Sequence, residues 1–196
     1  MRKPLTLFAV LLAAVAWLDP NDEARADFIV NGGFETEDFT GWTLSGNTSD
    51  PTTFGVDSSI PHSGGFAAYF GPQSSKVFLE QTVATVVGEE YTLSFFLMNE
   101  DGSSPNAFSV EFGSMSLADS TDLSTFDYQM FTYKSIATFS TTIVRFGFQN
   151  DFAYFDIDNI SLVRAVPEPG TLASLAIGVA LLGCHRWMRR SARRVD

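Results

Sequence analysis

Between Asp27 and Arg164 this 196-residue chain carries one imidazole, His62, no thiol, and four basic side chains against 18 acidic ones. That inventory restricts the chemistry sharply. The one cysteine, Cys184, lies near the C-terminus, so the middle part has no disulfide, no thiol nucleophile and no thiolate zinc site. A single imidazole excludes a multi-histidine metal centre. A serine hydrolase would need His62 as general base, oriented by a carboxylate; Pro61-His62-Ser63-Gly64 reads instead as a turn. Paired carboxylates could hydrolyse a glycosidic bond, but there is no Glu-x-Asp-x-x-Glu strand to present them. A polysaccharide lyase would have only Lys76, Lys134, Arg145 and Arg164 to draw on. The net charge of this part, −14, repels phosphate backbones, which argues against a nucleic-acid partner. The expectation is a protein that is not an enzyme. Sugar binding would use exposed rings with acids and amides at their edges, and the candidates are Tyr69, Tyr128, Tyr133 and Tyr154; sequence alone does not group them.

The elements that must position these residues are strands. Tyr91, Leu93, Phe95 and Leu97 alternate with polar or outward positions, as do Phe108, Val110 and Phe112, and Val144, Phe146 and Phe148. Further strands are expected at 28–30, 42–44, 52–56, 66–70, 77–83, 126–133 and 154–163, separated by Gly, Asn, Ser, Asp and Pro clusters. About ten strands suffice for two packed sheets. Eighteen of the 19 phenylalanines lie in this part, so aromatic burial must supply much of the stability that a disulfide would otherwise add.

The two ends read as addresses. Arg2 and Lys3 precede a run from Leu5 to Leu18 that is apolar apart from Thr6, and Ala24-Arg25-Ala26 supplies the small-x-small pattern of a leader-peptidase site. Residues 1–26 are therefore expected to form a signal-peptide helix, handled by the export machinery and cut by signal peptidase after Ala26. At the other end, Val166-Pro167-Glu168-Pro169 interrupts regular structure, and Thr171 to Cys184 is free of charge. A helix over about 171–188 would span roughly 27 Å, close to a hydrocarbon core of about 30 Å. Arg186, Arg189, Arg190, Arg193 and Arg194 would hold its end in the cytoplasm.

A Pro-Glu-Pro motif at Pro167, Glu168 and Pro169, a terminal apolar segment and a closing arginine cluster resemble the PEP-CTERM sorting signal. The resemblance assigns 165–196 to sorting. It implies recognition by an exosortase in the inner membrane, and a destination in the cell envelope or extracellular polysaccharide matrix. Within 27–164, Asn31-Gly32-Gly33-Phe34-Glu35 with Phe39-Thr40-Gly41-Trp42 is similar to the opening of galactose-binding-like carbohydrate-binding modules, and Phe155-Asp156-Ile157-Asp158-Asn159-Ile160-Ser161-Leu162 is similar to their closing strand. The resemblance implies an all-β, two-sheet jelly-roll sandwich, with Phe34 in the core and Trp42 covering one end. It also implies a structural Ca²⁺ held by Glu35 and Asp158, with backbone carbonyls completing the oxygen shell. Asn159 stands where a second acid is usual, and Asp156 is expected to face outward. The reading that follows is an exported, non-catalytic sandwich protein sorted to the envelope or matrix, with glycan binding as the alternative molecular role.

Overall fold

The computed structural model describes residues 26–165, and this part is all-β. One sheet contains β1 (Thr43–Gly46), β4 (Val77–Ala84), β6 (Asn106–Phe112), β7 (Met115–Thr121) and β9 (Thr141–Asn150), in the order β1-β4-β9-β6-β7. The second contains β2 (Phe54–Asp57), β3 (Ala67–Phe70), β5 (Glu90–Asn99), β8 (Phe126–Ile136) and β10 (Phe155–Arg164), in the order β2-β3-β10-β5-β8. All pairings are antiparallel. Consecutive strands repeatedly cross between the sheets, as in a jelly roll. The signal-peptide and C-terminal helices expected from sequence fall outside the described residues. Within those residues no helix is long and apolar enough to cross a membrane.

Strand alternation builds the core. Tyr91, Leu93, Phe95 and Leu97 of β5 face Val110, Phe146 and Phe148 of the other sheet across one buried cluster. The expected plugs hold their places: Phe34 is fully buried, and Trp42 stacks over it with centroids 6.1 Å apart while its Nε1 donates to the Asn31 carbonyl.

Two expectations about strands are corrected. Residues 28–30 do not form a strand. Val30 instead exchanges both backbone hydrogen bonds with the Gln81 side-chain amide, its N–H donating to Oε1 at 2.8 Å and its carbonyl accepting from Nε2 at 2.9 Å. A side chain on β4 thus takes the part of a partner strand. Conversely, β7 forms from Met-Ser-Leu-Ala-Asp-Ser-Thr, an exposed edge strand whose alternation is broken by a register shift against β6 between Val110 and Glu111.

Gly32 ties the N-terminal turn to the last strand. Its carbonyl accepts from the Ile160 N–H at 2.9 Å, and a Cβ at position 32 would collide with the Ile160 carbonyl oxygen. The register of β10 against β5 shifts between Asp158 and Ser161, and Asn159 adopts a φ of 52° at this bulge. The bulge turns Asp158 and Asn159 toward the 31–35 turn.

Candidate functional site

Two constellations lie near the last strand. The first contains the residues that sequence had singled out. Glu35 and Asp158, 123 positions apart, come together around Gly33: a Cβ there would lie 3.7 Å from Asp158 Oδ1 and 3.9 Å from Glu35 Cγ. Both carboxylates accept backbone hydrogen bonds from the loop between β2 and β3. Gly65 N–H donates to Glu35 at 3.0 Å and Ser63 N–H to Asp158 Oδ2 at 3.0 Å, while Asn159 N–H donates to Asp158 Oδ1 at 2.6 Å. Burial raises the Asp158 carboxyl above its ordinary range, and the N–H donors of Ser63, Asn159 and His62 partly offset this. Among the described residues no three His, Cys, Asp or Glu side chains gather as a metal cluster. Glu35 Oε1 accepts from both Gly65 and Phe66, while Glu35 Oε2 and the two Asp158 oxygens each accept one N–H bond and keep a lone pair of the kind a hard cation takes.

His62 is held as part of this loop. Its Nδ1 lies 2.7 Å from Asn159 Oδ1, and its ring stacks on Phe96 of β5 with centroids 3.6 Å apart. Tyr128 of β8 donates its hydroxyl to the Ile60 carbonyl at 2.8 Å. The loop therefore straps across the outer face of the second sheet, from β3 to β8.

The second constellation occupies that same outer face beyond the strap. Asp156 faces outward, as expected from alternation with Phe155 and Ile157, yet it is only 4% exposed. Its strand neighbours are Tyr69 on β3 and Met98 on β5. Its Oδ2 is buried with no hydrogen-bond partner. Burial, followed by repulsion from Glu100 and Asp57, pushes the Asp156 carboxyl up to about 7. Burial and Asp57 likewise raise Glu100. Tyr128 is raised strongly, by burial first and then by the field of Asp156, Asp158, Asp57 and Glu100. One face thus concentrates acidic groups that, among the described residues, no basic side chain pairs.

Two tyrosines border it. Tyr69 and Tyr154 meet edge to face at 5.4 Å with their planes 86° apart. Glycines make room for both: a Cβ on Gly55 would collide with the Tyr69 ring and hydroxyl, and one on Gly71 with the Tyr154 ring. Tyr154, 36% exposed, also lines a shallow open depression of about 110 Å³ with Thr53, Gln73, Asn150, Asp151 and Phe152. Of the four tyrosines named from sequence, the fold groups these two. Tyr128 is engaged by the strap, and Tyr133 packs toward the core against Phe95. Sequence reasoning missed the role of Asp156, Asp57 and Glu100; the signal available was that Asp156, Tyr69 and Met98 all occupy outward positions of adjacent strands.

Residues 165–194 match the PEP-CTERM protein-sorting motif. No curated protein matches the chain. Among solved structures, TmCBM61 in complex with β-1,4-galactotriose is similar over 71% of this chain and 99% of its own, at 18% identity and a TM-score of 0.59. The CBM22-1 xylan-binding domain from Paenibacillus barcinonensis Xyn10C covers 74% and 97%, at 14% identity and 0.52. A family 16 carbohydrate-binding module covers 69% and 99%, at 16% identity and 0.51. The fold is that of carbohydrate-binding-module jelly rolls, joined here to a PEP-CTERM motif.

Proposed function

We propose that this chain is an exported, non-catalytic glycan-binding protein, sorted by its PEP-CTERM tail to the cell envelope or extracellular polysaccharide matrix. In this reading signal peptidase releases the chain before Asp27, and an exosortase recognises Pro167-Glu168-Pro169. Glycan contact falls to the outer face of the second sheet. The observation that carries it is the Tyr69–Tyr154 pair beside the unpaired acidic groups of Asp57, Glu100 and Asp156. The apolar face of a sugar ring stacks on the exposed Tyr154 ring, and its hydroxyls donate to Asp57 and Glu100, with Asp156 buried beneath them. His62 is engaged by Phe96 and Asn159, which supports a role in fixing the strap rather than in proton transfer.

The test is binding of the purified chain to immobilised polysaccharides, with β-1,4-galactan and xylan among the first probes because similar modules were solved with galactotriose or named for xylan. Retention that is lost in Tyr154→Ala, with an unchanged melting temperature, supports the assignment. Uniformly blank binding would favour a structural matrix component instead.

The meeting of Glu35 and Asp158 around Gly33 favours a second element of the proposal, a structural Ca²⁺ at that pair. When bound, the ion would supply a positive centre joining the 31–35 turn to β10, with Glu35 and Asp158 as its side-chain ligands.

A further inference from the structure

Six of the large apolar side chains exposed on the described domain share one end of the sandwich: Val86, Val87, Met115, Ile136, Phe139 and Ile143. They are not scattered there. Val86 and Val87 tip the β4–β5 loop and Phe139 tips the β8–β9 loop, and the two loops are laced together. Thr85 N–H donates to the Ser140 carbonyl at 2.9 Å, Thr85 Oγ1 to the Phe139 carbonyl at 2.7 Å, and Gly88 N–H to the Ala137 carbonyl at 2.8 Å. Val87 and Phe139 are each 61% exposed. Isolated exposed apolar residues are ordinary, but a contiguous set on loop tips marks a surface that meets something apolar.

The chain leaves the domain at this same end. Ala165 N–H donates to the Glu90 carbonyl at 2.8 Å, and Glu90 pairs with Ile136 at the start of β5. Only residues 166–170 then precede the uncharged run from Thr171 to Cys184. Fully extended, five residues reach about 18 Å at most. Although residues 27–164 carry a net −14, Lys134 and Arg164, half of their basic side chains, lie at this end, opposite Asp27, Glu89 and Glu90. Lys134 sits 3.4 Å from Glu90. The tips meet a lipid interface through their apolar atoms and the short tether rather than through net charge.

We propose that this end of the sandwich rests on the lipid bilayer, with Val86, Val87 and Phe139 dipping into the headgroup–acyl boundary while the tail is inserted. The inference rests on the reading of the tail as a membrane anchor. Its occupant is the bilayer rather than a protein, because the short tether holds these tips against the membrane that the tail enters.

The experiment uses the full chain reconstituted in vesicles of phosphatidylethanolamine and phosphatidylglycerol, with or without bromine on the acyl chains. Tryptophan is introduced as Phe139→Trp at this end and as Phe152→Trp at the opposite end, and the parent signal is subtracted. Trp187, read by comparing the parent with Trp187→Phe, reports the tail. Expected is loss of the Phe139→Trp signal in brominated vesicles while Phe152→Trp keeps its intensity. Quenching of Trp187 with no quenching at position 139 would overturn the inference and leave the anchor intact. A blue-shifted but unquenched signal at 139 would likewise overturn it, by showing a protein partner or a second copy over the tips. An unquenched Trp187 would overturn the anchor and the inference with it.

Discussion

The rings of Phe70 and Phe148 lie parallel, 5° apart, with centroids separated by 4.2 Å, and they come from opposite sheets. Both are fully buried. This contact is where β3 and β9 meet through the sandwich, and Phe54, Phe108 and Phe155 gather around it. Phe148→Ala would remove one ring from a disulfide-free core and leave a cavity. The expected cost is about 3–5 kcal/mol, read as a lowered midpoint in urea unfolding of the chain.

Gly32→Ala should be costly for a different reason. The new Cβ would meet a backbone oxygen, that of Ile160, rather than a flexible side chain, so either the turn or the bulge in β10 must move. A loss of about 1–3 kcal/mol is expected, with larger amide shifts at 31–35 and 158–160 than elsewhere in the domain. Shifts spread evenly over the sandwich would contradict this account.

Asp156 gives the stability a pH dependence with a definite sign. The folded state holds its proton up to about pH 7, against 3.8 for the ordinary carboxyl. Between those values the folded chain binds the extra proton, so its stability falls as pH rises, and the full penalty is present above pH 7. Asp156→Asn removes the penalty, so it should melt above the parent at pH 8 and close to it near pH 4. The shift caps the difference at roughly 4 kcal/mol. Equal melting differences at both pH values would show that the carboxyl does not titrate in this way.

Calcium should raise the melting temperature, and chelator should reverse the rise. At a free concentration of about 100 Kd the stabilisation is about 2.7 kcal/mol, several degrees for a domain of this size. Asp158→Asn and Glu35→Gln should each abolish the response while lowering the baseline, because both carboxylates also hold amides of the 63–65 loop. Superimposable transitions with calcium and with chelator would remove the ion from the proposal.

The mature protein should begin at Asp27, and where exosortase acts it should end near Pro167–Pro169. Intact-mass measurement of the protein recovered from the envelope and from the medium checks both ends. An undiminished C-terminus in every fraction would eliminate processing.

The parts of the fold legible in the sequence were those set by short-range alternation. Tyr91 to Leu97 and Val144 to Phe148 advertise their buried faces because each strand lies over a single core. Edge strand β7 did not, since one row of its side chains meets solvent and no periodic signal is required of it. Glu35 and Asp158 were singled out through a family resemblance, and the fold sets both carboxylates against the 63–65 loop. Asp156 was legible only as an outward position. Its burial arises from neighbours on two other strands, Tyr69 and Met98, and the strap nearby is fixed by a hydroxyl bond between residues 68 positions apart. Such pairings are decided by tertiary register, which local pattern does not encode.

The ten residues of β10 run from the Tyr154 end to the exit at Ala165. At about 3.3 Å per residue, that strand is roughly 33 Å long. In a chain anchored as proposed, that strand would work as a mast: the tail would fix its foot, and the tyrosine pair would stand about that far from the bilayer surface. Cutting the tether would change where that platform drifts without altering its shape.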